Sequence, residues 1–250
     1  MRKLFFILLL ILSGKNFCQT DSNVVDGKGM KQGIWKETIA GTIWFGNYAD
    51  NKKEGNWRCY HAGGILQQLV EYRNNLKNGF GIWIDKANNF FHEANFTNDT
   101  LNGNEIFYFS SGKKQSSAYY KMGKLNGTKK VFTSEGKQQE EATYTNGELN
   151  GAKKWFFSSG NVNSEMTFKN NKLNGPYYVF FDTGKTNETG FYQNDEREGL
   201  FTEFHANGKM KTQGNYKSGK KEGVWKEFDE AGKELSSEKF VNGEVKGKKK

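Results

Sequence analysis

Proline is almost absent from this chain, at one residue in 250, and cysteine is scarce, at two. So little proline excludes collagen-like and proline-rich linker sequences. Two cysteines cannot build a disulfide framework. No apolar run approaches the ~20 residues of a membrane-spanning helix, which excludes a polytopic membrane protein. Glycine is abundant instead, at 30, as are aromatic side chains, at 21 Phe, 11 Tyr and 6 Trp. So aromatic a chain is not wholly disordered and can bury a core, though a thin one.

Met1-Arg2-Lys3 makes a basic start, followed by nine apolar residues from Leu4 to Leu12 and a polar stretch from Ser13 to Asn16. Nine helical residues reach about 14 Å, half of a ~30 Å bilayer core. This is the pattern of a secretory signal peptide over residues 1–18, cleaved near Cys18-Gln19. Leu12-Ser13-Gly14 begins like a lipobox, but Lys15 stands where the lipidated cysteine belongs. An exported chain, in the periplasm, the cell envelope or the medium, is therefore expected rather than a lipoprotein. Cleavage leaves Cys59 as the one cysteine and lowers the formal charge from +9 to +6. Lys246 and the basic tail at residues 248–250 hold four of those charges. The body is only mildly basic, so no nucleic-acid partner is expected.

A 24-residue repeat organises the rest. Gly55, Gly79, Gly103, Gly127, Gly151, Gly175, Gly199, Gly223 and Gly247 recur without a slip. With each of these leading glycines counted as place zero, a second glycine series stands at place nine, as in Gly112, Gly136 and Gly160. Place seventeen is always aromatic, as in Tyr72, Phe96 and Tyr120, and place five is nearly so, as in Tyr60, Tyr108 and Phe132. Between the glycines lie short aromatic-rich segments of strand composition. Pairs such as Asn146-Gly147, Asn170-Asn171, Asn194-Asp195 and Asn242-Gly243 are those of type I′ hairpins. Each unit reads as a β-hairpin joined to the next by another hairpin turn. Residues 19–247 thus predict an all-β fold, an elongated single-layer antiparallel sheet of about nine units and roughly eighteen strands. The aromatics at places five and seventeen are expected to stack along one face, with the small residues at place fifteen making room. Gly33-Ile34-Trp35 precedes Gly55 by 22 residues rather than 24, which marks an atypical N-terminal cap.

Stretches such as Asn207-Gly208-Lys209 and Tyr216-Lys217-Ser218-Gly219-Lys220-Lys221-Glu222-Gly223-Val224-Trp225 resemble MORN-type repeats. They are most similar to the variant in YwqK-type bacterial antitoxin-family proteins. The resemblance spans about residues 27 to 247 and implies a non-enzymatic binding role towards proteins or membrane lipids.

Little in the chain looks like chemistry. His61 and His205 lie six units apart, too far to share a metal, and all three histidines read as turn or surface residues. Gly79-Phe80-Gly81 lacks the spacing of a dinucleotide loop. The scattered carboxylates, Glu140-Glu141 included, show no recurrent pairing. No catalytic residue, cofactor or metal is expected. Two features stand out. Place two carries Lys129 and Lys153 in the central units, followed by Lys130 and Lys154, which predicts a basic spot beside Trp155 for an anionic group. Trp35, Trp57, Trp83, Trp155 and Trp225 cluster near strand starts. The reading is an exported protein-binding scaffold. A binder of anionic membrane surfaces and an antitoxin-like immunity protein are the alternatives, and an edge-strand homodimer is a further possibility.

Overall fold

In the computed structural model, which describes residues 22–246, the strands form one open antiparallel sheet. Eighteen strands of six to nine residues carry it, and four two-residue segments complete it. Long strands pair with their neighbours in the chain, so order in space follows order in sequence. The all-β repeat architecture read from the sequence is the one observed. The signal peptide expected at residues 1–18 and the tail at 248–250 lie outside the described residues.

Two kinds of turn alternate. Along one edge both central residues take positive φ, as in Asn74 (51°) and Asn75 (71°) or Asn194 (52°) and Asp195 (71°). These are the type I′ turns expected from the Asn-rich pairs, whose twist matches that of the strands. Successive turns on this edge bond to one another: Asn75 N donates to Lys53 O at 3.0 Å, and Lys53 N donates to Asn75 Oδ1 at 2.6 Å. The same exchange joins Asp99 to Lys77, Asn171 to Leu149 and Asp195 to Leu173. The opposite edge carries the longer turns with glycine at place nine. There Lys113 and Lys209 reach forward to the carbonyls of Glu135 and Ala231 in the next turn, at 2.9 and 2.8 Å. The recurrent Gly-Lys pair therefore couples units. The first unit is two residues short because Ala40-Gly41 replaces the longer turn.

The leading glycine series marks a bulge. Phe45 pairs with Arg58 and Asn47 with Glu54, so Gly55, Asn56 and Trp57 stand opposite Gly46 alone. Gly55 takes φ 69°, a conformation open to glycine at little cost. The bend lays the Trp57 ring over the Gly46 backbone. A Cβ built at Gly46 would sit 2.2 Å from Trp57 Cδ2, and the same holds for Gly214 under Trp225.

One expectation is corrected here. The aromatics at places five and seventeen lie on opposite faces. Tyr72 pairs with Gly55 across the hairpin, whereas Tyr60 is five residues along the strand from Gly55. An odd offset turns a side chain to the other side of the pleat. What stacks with place seventeen is place two: Tyr48–Trp57–Tyr72 at one end, and Tyr192–Phe201–Tyr216–Trp225–Phe240 at the other, with centroids 5.0–6.5 Å apart and rings near perpendicular. Gly46, Gly190 and Gly214 at place fifteen make room for the rings of Trp57, Phe201 and Trp225 at place two of the next unit, whereas Tyr177 faces Met166. At Gly81 the ring is missing and the sizes invert, with buried Val70 facing it. We call the side carrying places two and seventeen the front face and the other the back face.

Candidate binding faces

A layer one sheet thick has little interior, and on the front face cations cover the rings. Lys53 Nζ lies 4.1 Å from the Trp57 centroid and 5.4 Å from that of Tyr72. Lys31 covers Trp35 and Tyr48, Arg197 covers Phe201 and Tyr216, and Lys221 covers Trp225 and Phe240. Burial, the largest influence on Lys53, pulls its pKa below the ordinary lysine value. All these cations stand two residues before a leading glycine. In the central units, where place two is Glu105, Lys129 or Lys153, that position is Leu101, Leu125 or Leu149. The co-occurrence of a cation before the glycine and a ring after it is visible in the sequence, yet only the register shows that the two meet.

The central lysines divide between the faces. Lys129 and Lys153, with Trp155, belong to the front, while Lys130 and Lys154, one residue on, belong to the back. Lys153 pairs with Glu140 at 3.3 Å and also covers the Trp155 ring at 4.5 Å. On the back, Lys130 pairs with Glu141 at 3.0 Å and Lys154 with Glu165 at 3.2 Å. Lys129 alone of the four makes no ion pair among the described residues. The carboxylates read as scattered are therefore recurrent partners: place thirteen or fourteen of one strand meets place two or three of its neighbour.

Of the histidines, His61 and His205 stand at turns as expected, and only His92 departs from that reading. His61 Nε2 lies 3.2 Å from Ile84 O and His205 Nε2 lies 2.9 Å from Phe228 O, each bridging to the next unit's turn. His92 is no surface residue. It is stacked between Trp83 and Phe107, with centroids 4.6 and 4.2 Å away, and its Nε2 is 3.2 Å from Glu105 Oε1. Cys59 is buried, with its Sγ 3.2 Å from Gln67 Oε1.

Front-face tyrosines record this burial. Burial, followed by the charge of Glu105, pushes Tyr120 up to about 12, and burial with Glu188 does the same to Tyr177. Their neutral forms are favoured in the folded chain. Their contribution to stability is thus complete below pH 10 and is lost as pH rises from there towards 12. Absorbance titration is expected to show tyrosinate forming late in the folded protein, with the urea midpoint falling across the same window.

Such a molecule is a tandem β-hairpin repeat protein built as an open sheet. Within it, residues 53–74, 101–122, 149–170 and 197–218 match the MORN repeat variant. The matched segments begin 48 residues apart, so they mark every second unit, and the units between them carry the same register. No curated protein matches the chain.

Proposed function

We propose that the chain is an exported, non-catalytic scaffold that binds another protein in the cell envelope or outside the cell. The observation that carries this reading is the open sheet itself. Both faces are presented to solvent, and both edges are held by bonds from unit to unit, giving a long preformed surface with little ordering cost on binding. MORN repeats suggest binding to proteins or lipids in general. The lysines best placed for a lipid phosphate are largely engaged: Lys153, Lys130 and Lys154 by glutamates, Lys53 and Lys221 by rings. This favours a protein partner over an anionic membrane. The sheet ends are partly covered, by Val24–Val25 with the Asn23 amide on Lys36 and by Glu244–Val245, which favours a different partner over a second copy paired at the edge.

The mature chain, used as bait against native envelope and culture fractions, is expected to recover one dominant protein at near-equal stoichiometry. If that protein is a toxin silenced on binding, the immunity role becomes its particular form. Salt-sensitive binding to anionic vesicles with no protein recovered would replace this reading with the membrane one.

A further inference from the structure

The back face carries one place where exposed apolar side chains meet across adjacent strands. Pro176 pairs directly with Phe191, Leu200 lies on Phe191's other side, and Tyr178 borders the same shallow groove. Phe191 is 43% exposed, Leu200 53% and Tyr178 37%. The repeat supplies its own controls. Phe191 is at place sixteen, held elsewhere by Glu71, Asn95, Thr143, Thr167, Asn215 and Lys239, with Tyr119 the other aromatic. Tyr119 faces Asn104 across its own hairpin, and Phe80 at place one faces Asn95. Thr167 and Asn215 also lie between apolar place-one residues, but only Phe191 adds an apolar side chain of its own between two of them. The fold does not need this, since its other units are built without it.

The patch exposes about 300 Å² of apolar surface, well short of the ~800 Å² per partner of a stable dimer. It suits a short segment rather than a second copy. The strand backbone beneath is already bonded to its neighbours, so a peptide cannot join as an extra strand. An extended peptide laid on the face would bury its own unpaired N–H and C=O groups, whereas a helix satisfies them internally. Three residues on neighbouring strands span ~10 Å, close to two helical turns. At the rim, Glu198 accepts a hydrogen bond from Ser218 N at 2.8 Å and has no cationic partner among the described residues.

We propose that the Pro176–Phe191–Leu200 groove docks an amphipathic helix of a partner protein, with its apolar stripe across the strands and a Lys or Arg beside Glu198. This rests on the scaffold reading and locates its contact. The test pans a displayed library of random linear peptides against the intact mature chain. The expected peptides carry apolar residues at helical spacing with a flanking Lys or Arg. Phe191→Asn combined with Leu200→Thr should weaken them at least about tenfold, and Glu198→Gln a few-fold with a flatter salt dependence. Asn and Thr stand at the same places in other units, so these variants should melt like the parent. Recovery of no peptide, of peptides without this pattern, or of peptides that bind the double variant equally well would overturn the proposal. So would a double variant that loses binding to lipid vesicles but to no peptide. A captured protein partner that the double variant still holds would overturn this site alone and leave the scaffold reading standing.

Discussion

Gly46→Val and Trp57→Gly, each disabling alone, are expected to rescue one another. Trp57 is fully buried, and its ring packs between Tyr48 and Tyr72 while its Nε1 donates to Asn47 O at 3.1 Å. Removing it should cost about 3–5 kcal/mol. Valine at Gly46 has no room, since its Cβ alone would meet the ring at 2.2 Å, and a cost of about 3 kcal/mol is expected. The double variant recreates what the next unit already contains, Val70 facing Gly81 with both buried. Urea unfolding of the four proteins should therefore give a coupling of about 2–3 kcal/mol in favour of the pair. Additive losses would mean that the two sites do not share one packing space.

A turn substitution should act nearly as strongly through different physics. Asn75 has φ 71°, and its Oδ1 accepts from Lys53 N at 2.6 Å in the preceding unit's turn. Asn75→Val places a β-branched residue in a left-handed conformation and removes that acceptor. Together these should cost about 2–3 kcal/mol. Asn75→Asp keeps both features, as Asp99 does beside Lys77, and should stay within about 0.5 kcal/mol of the parent. Hydrogen exchange would localise the effect: the Lys53 amide should lose protection in the valine variant and keep it in the aspartate one. Equal protection in both would show that the bond between turns contributes nothing.

These two cases show what kind of information the chain carries openly. The turns were legible because Asn-Gly, Asn-Asn and Asn-Asp pairs tolerate positive φ, and that is a local property. The strand count was legible for a similar reason, since the glycine period fixes where each strand begins. The front-face cations were half legible. Lys31, Lys53, Arg197 and Lys221 keep a constant distance from their glycines, but a cation four residues before an aromatic means nothing until both are known to share a side of the sheet. The glutamate partners of the central lysines were hidden because they sit on a neighbouring strand, with sequence separations of 11 to 13 residues.

The sequence by itself thus determined the repeat, the hairpin, the turn type and the single open sheet, because backbone preferences act over a few residues and this chain repeats them every 24. The tertiary structure alone decided which side chains share a face. That depends on cross-strand register and on the bulge opposite Gly46, which lets Trp57 rather than Tyr60 join the ladder with Tyr48 and Tyr72. It also decided that three of the four central lysines are neutralised and that Phe191 meets Pro176 and Leu200. Each of these is a meeting of residues on different strands, and distance along the chain does not encode it.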